Sequence, residues 1–151
     1  MRSASPRVRI AAGLALALGF SAITRAEVVA VVSAKSPVQF LERAELSDIF
    51  LGRKMRFPNG QQAVPVDLDV GSPSRDEFYT NLVGVSAVQL KAHWSKIIFT
   101  GRGKPPRSVA SGVDARKLVA SNPQCIAYLD RSLVDDSVKI IKLQPAASSG
   151  R

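Results

Sequence analysis

Residues 66–79 read VDLDVGSPSRDEFY, and the way this stretch turns decides the fold. Val66, Leu68 and Val70 alternate with Asp67 and Asp69, the period-2 pattern of a strand with one apolar face. Gly71 ends the alternation. Ser72-Pro73-Ser74 then has the composition of a first helical turn, with proline where its missing N–H is not needed. Asp76 and Glu77 sit in the early turns and Gly84 follows Val83, so the spacing predicts a helix over 73–83. A strand, a glycine turn and a helix N-terminus together present unpaired backbone N–H groups to an incoming anion. The turn therefore either holds an oxyanion or caps its own helix.

Outward from this stretch, strands and helices alternate. Glu27 to Val32 is a β-branched run expected to be a buried strand. Ser36-Pro37 breaks it, and Leu41 to Leu51 carries Leu46, Ile49 and Phe50 at helical spacing before Gly52. Ala63 to Val70 is the second strand. Ser86 and Gln89 form a capping box that opens a helix with Leu90, Trp94 and Ile97 on one face. Arg102 to Arg107 is a basic loop, and Asp114 is expected to cap a short helix that Asn122-Pro123 ends. Cys125 to Leu129 and Val138 to Leu143 are the last strands. The alternation predicts an α/β fold with a mixed, mostly parallel sheet flanked by helices.

The first 26 residues bear on compartment. Arg2, Arg7 and Arg9 precede an apolar stretch from Ile10 to Ile23, and Thr24-Arg25-Ala26 has small residues at cleavage positions. This is the pattern of a cleavable signal peptide over 1–26, with export to the periplasm. The folded domain is expected over 27–144, with a flexible polar tail over 145–151. Without Arg2, Arg7, Arg9 and Arg25 the formal charge falls from +9 to +5, a balance suited to anionic partners. Export, and the lack of aromatics among the basic residues, argue against nucleic acid.

Chemistry-bearing constellations are few. Cys125 is the single cysteine and lies in an apolar run, so it reads as a buried thiol, outside any disulfide framework. Thr100 to Pro105 has a P-loop flavour, but Ile98 and Pro105 stand where the motif needs a glycine and a Ser or Thr. Asp67 and Asp69 are two apart on a strand, yet nothing at readable spacing completes a metal site, and a solvated strand face is the expectation. His93 is the only histidine and has no partner at metal or triad spacing. No catalytic residue, metal site or cofactor is expected.

With these residues in place, a family resemblance emerges. AELSDIFLGR (44–53), the strand entering GSPS (71–74) and NPQCIAYLD (122–130) resemble, in order and spacing, phosphate-type periplasmic substrate-binding proteins of ABC transporters. Their second lobe typically reads "L…DIF.GK…W", "R.D(G)SGT" and "NPGAIGY". The resemblance covers roughly Val28 to Leu143 and implies one lobe of the type II periplasmic-binding fold, in a chain too short for the other lobe. It implies an anion site at the strand-to-helix turn, with Ser72 and Ser74 on the Ser and Thr of the family's SGT. Pro73 replaces its glycine, Leu68 its arginine, Val70 its aspartate, Phe57 its tryptophan and Ala127 the glycine of "IGY".

Ligand-binding residues are accordingly expected at Ser72, Ser74 and Arg75, with Arg75 replacing the missing arginine. The expected ligand is inorganic phosphate or another small oxyanion. As N-cap, Ser72 is expected to turn its oxygen onto the N–H of Ser74 or Arg75, which would weaken the site. Two readings compete. One is a solute-binding protein, its cleft completed by a homodimer or by a membrane transporter or receptor. The other is a ligand-free interaction or sensing module docked on an envelope membrane protein. Apolar Leu68 and Val70 favour the second, which predicts an apolar patch at the mouth of the site.

Overall fold

The computed structural model describes residues 26–145. The expected signal peptide, apart from Ala26, and the tail beyond Pro145 lie outside the described residues. Strand β1 (Val28–Ser33) is buried along its whole length, as a continuous β-branched run requires when both faces of a sheet are covered. It is followed by β2 (Phe40–Glu42), α1 (Arg43–Phe50), β3 (Val64–Leu68) and α2 (Pro73–Glu77). Next come a π-helical segment (Phe78–Val83), α3 (Ala87–Phe99), β4 (Arg107–Val109) and α4 (Gly112–Ser121). Strands β5 (Cys125–Asp130), β6 (Val138–Ile140) and β7 (Lys142–Gln144) are the last elements among the described residues.

The main sheet has the order β4-β3-β5-β1-β6. β3 runs parallel to β4 and β5, whereas β1 runs antiparallel to β5 and β6. Four strands thus share one direction and β1 alone opposes them, which is the mixed, mostly parallel α/β sheet predicted. A separate parallel ribbon joins β2 to β7. Among the described residues no helix is long and apolar enough to cross a membrane.

Several boundaries depart from the sequence expectation, each for a physical reason. Leu41 and Glu42 leave the expected first helix and, with Phe40, pair with β7, because Glu42 caps that helix: Glu45 Oε2 accepts from the Glu42 N–H at 3.0 Å. The expected strand over 138–143 divides at Ile141, whose N–H turns to the Ala30 carbonyl while the next residues join β2. The basic loop after α3 yields β4, too short and too polar to signal itself. The N-cap of α4 is Ser111, not Asp114; Ser111 Oγ accepts from the Asp114 N–H at 3.1 Å. The Ser86–Gln89 capping box forms as predicted, with bonds of 2.9 and 3.2 Å. Cys125 is buried as predicted, and burial pushes its thiol pKa up.

The core lies on both faces of β1, β3 and β5, and Trp94 closes it beneath the end of α1. Gly52 has φ +72, and a Cβ there would meet Trp94 Cη2 at 2.9 Å. His93 Nε2 lies 2.8 Å from the Leu51 carbonyl; a carbonyl only accepts, so this nitrogen carries the proton. Gly52→Ala is therefore expected to combine left-handed backbone strain with overpacking. A loss of about 1–3 kcal/mol in urea-unfolding free energy is the predicted outcome.

Candidate functional site

The strand-to-helix turn is built as its sequence suggests. β3 ends at Leu68, Gly71 takes φ +93 with open space around it, and Ser72 enters α2 with extended φ and ψ. The Ser72 N–H donates to the Asp69 carbonyl at 3.1 Å. The Ser72 carbonyl accepts from Arg75 and Asp76 at 3.0 and 3.2 Å. Backbone bonds, not the serine hydroxyl, therefore cap this end. Ser72 makes no side-chain capping bond, which corrects the expectation of self-capping. Among the described residues the hydroxyls of Ser72 and Ser74 have no protein partner, and both side chains are partly exposed.

Arg75 is placed differently from the sequence expectation. Its Nε donates to Asp67 Oδ2 at 3.3 Å, and its guanidinium carbon lies 5.1 Å from the Tyr79 ring centroid. The side chain reaches back to Asp67 on β3 and is only 14% exposed. Leu68 is buried, while Val70, just past the strand end, is 87% exposed. On the turn itself Val70 is the single large apolar side chain exposed, and one valine is not a patch. The carboxylates of Asp69 and Asp76 flank the turn from exposed positions.

Asp67 is the residue that sequence reasoning placed wrongly. It is not on a solvated face but 4% exposed, between β3 and the helical layer. The reason is that β3 is interior, with β4 and β5 on either side, so Val66, Asp67 and Leu68 are all buried in succession. Its Oδ1 accepts from the Leu68 N–H at 2.9 Å and from the Tyr128 hydroxyl. Its Oδ2 accepts from the Tyr79 hydroxyl at 2.9 Å and from Arg75. The legible signal was Arg75 and Tyr79 at i, i+4, one helix face carrying two donors.

The π-helical segment turns two successive rings inward. Its widened turn is marked by the Gly84 N–H donating to the Tyr79 carbonyl at 2.7 Å, five residues back. Phe78 stacks on Tyr128 at 3.8 Å with an interplanar angle of 6°, and Phe50 meets Phe78 edge-on at 4.7 Å. Two open clefts lie elsewhere, one of about 390 Å³ around Lys54–Pro58 and one of about 580 Å³ between β4 and α4; neither is lined by the turn.

Burial, and then the Asp67 charge, push the hydroxyl pKa values of Tyr79 and Tyr128 far above the ordinary phenol value. A raised folded-state pKa means that stability is fully present below the unfolded value near 10 and is lost as pH rises beyond it. These are the chain's only two tyrosines. Phenolate absorbance is therefore expected to stay silent in the folded protein past pH 10 and to rise together with unfolding. Stability should fall there by about 1.4 kcal/mol per pH unit for each tyrosine.

No protein-family model matches the sequence, and no curated protein does either. Among solved structures, an ABC-type phosphate transport receptor from Vibrio cholerae aligns with a TM-score of 0.61 at 25% identity over 77% of this chain. A putative phosphate ABC transporter substrate-binding protein with bound phosphate, from Clostridium perfringens, aligns at 0.58 with 25% identity over 77% of the chain. PstS from Borrelia burgdorferi aligns at 0.59 with 11% identity, a likeness of fold alone. This chain spans less than half the length of each, 45%, 44% and 47% respectively. The chain is thus structurally similar to phosphate ABC transporter substrate-binding proteins and has the fold of one partial lobe of them.

Proposed function

We propose that the protein is a periplasmic solute-binding module, with no catalysis, whose β3–α2 turn is half of an oxyanion site. Residues 27–144 are the binding unit and residues 1–26 its export signal. The observation that carries this reading is the pair of serine hydroxyls, Ser72 and Ser74, unpartnered at a strand-to-helix turn. Likeness to a chain with bound phosphate supports inorganic phosphate or a similar small oxyanion as the ligand class.

The donors remaining at the turn set the affinity. Two hydroxyls and a backbone N–H contribute about 1.5–3 kcal/mol each when the acceptor is charged. The helix end adds about 0.3–1 kcal/mol. Association costs at least ~4 kcal/mol, and the carboxylates of Asp69 and Asp76 oppose an anion. The surplus corresponds to roughly millimolar affinity for the lone half-site. Micromolar affinity requires a second surface, from a further copy of the chain or from a membrane transporter or receptor.

A ligand-free interaction or sensing module is the second reading. It is favoured by one observation: the cation nearest the turn, Arg75, is committed to Asp67. Calorimetric titration of the full chain with phosphate and sulfate at low salt separates the two. Millimolar phosphate binding, abolished in the Ser72→Ala/Ser74→Ala double variant, is the expected outcome. Arg75→Ala should leave that affinity within about threefold while lowering unfolding free energy by about 1–3 kcal/mol, since it acts on Asp67. Absence of heat up to tens of millimolar would sink the anion reading in favour of the module.

A further inference from the structure

Among the described residues, three of the six large apolar side chains left exposed lie on α3, whereas Phe40, Met55 and Val70 stand singly on separate segments. Val88 is 79% exposed, Ile98 57% and Phe99 92%. The core-facing side of α3 is fixed by Leu90 and Trp94, both buried, and by Ile97 packed against them. At 100° per residue, Val88, Ala92, Ser95 and Phe99 fall along a single stripe on the opposite side. All four are exposed, and none carries a charge. Lys91 and Lys96, also exposed, flank the stripe on its two sides.

The charge around this stripe has one sign. From Phe78 to Val113 the chain has five Lys and Arg residues (Lys91, Lys96, Arg102, Lys104 and Arg107) and not one Asp or Glu. These five account for the whole +5 that remains once the arginines of the first 25 residues are set aside. The loop that carries three of them folds back on the helix end, where the Arg102 N–H donates to the Ile97 carbonyl at 3.1 Å. The basic loop therefore starts directly against the last turn of α3, which carries the exposed Ile98 and Phe99.

We infer that the outer face of α3 is a docking surface for an anionic lipid bilayer. An uncharged stripe with Val88 at one end and Phe99 at the other seats its apolar side chains at the boundary of headgroups and acyl chains. Lysines on its flanks keep their heads in the headgroup layer while their stems cover apolar surface. The unbroken positive field complements a negatively charged leaflet. This inference is independent of anion binding at the β3–α2 turn, which lies on other elements.

The test uses the full chain with Ser95→Cys carrying an environment-sensitive bimane, with Cys125 protected by burial at 3% exposure. The same label at Asp136→Cys, on the loop before β6, serves as a control. Vesicles of phosphatidylglycerol and phosphatidylcholine are compared with pure phosphatidylcholine; because Arg2, Arg7, Arg9 and Arg25 also favour anionic vesicles, the label at position 136 reports any shift that residues 1–25 cause. The expected result is a blue shift at position 95 on the anionic vesicles alone, with none at position 136. In the Lys91→Glu/Lys96→Glu background the lipid needed for half the shift should rise about tenfold or more. Equal shifts on both vesicle types, or no effect of charge reversal, would overturn the inference. A shift that grows with protein concentration without lipid would assign the face to a second copy instead. An equal response to polyglutamate would assign it to an acidic protein, and either result overturns the lipid reading.

Discussion

The Asp67 carboxylate is the constraint on which the rest of the structure depends. An ionised group at 4% exposure is tolerable only where donors replace the water it has lost. Four do so, and they come from three places: the Leu68 N–H on its own strand, Tyr128 on β5, and Arg75 with Tyr79 on the helical layer. The neighbouring strand must therefore be in register, and the helical segment must lie at one height and rotation above the sheet. The short α2 has no buried side chain of its own. It is held by the downward reach of Arg75 and by the rings of Phe78 and Tyr79 that follow. The position of the Ser72–Ser74 turn is thus inherited from a bond network beneath it.

This arrangement also explains the gap between the family's motif and these residues. Leu68, at the position where the resemblance implied an arginine, is buried and so faces the core, not the turn. The nearest cation has been turned into structure. What the turn retains is neutral donors, and neutral donors at an open surface suit a weak or shared site better than a tight private one.

Much of the architecture was legible because its causes are local. The β-branched run of β1, the Ser86–Gln89 box, the glycine turn after β3 and the burial of Cys125 follow from side-chain shape and capping chemistry within a few residues. The parts that were not legible depend on distant partners. β4 is a strand only because β3 offers it an edge, and residues 40–42 are extended only because β7 lies beside them. Asp67 belongs to the same class: an alternating pattern indicates a half-solvated strand unless both neighbours and both faces are covered. Nothing within ten residues of Asp67 says that Tyr128 will arrive from β5. Arg75 was read as a ligand because it lies next to the turn in sequence, whereas its direction is set by the carboxylate eight residues earlier.

The opposing strand, β1, has a consequence for how the protein comes to exist. Both of its partners, β5 and β6, belong to the last part of the chain, and the Glu27–Arg131 pair that clasps its start spans 104 residues. β1 is a run of apolar residues synthesised before β5 and β6, so it stays unpaired in the sheet until those two strands have been made. Closing so long a loop before any reward is gained makes folding slow and all-or-none. Until that moment the chain carries an unpaired, aggregation-prone strand, a natural point for a holding chaperone to engage.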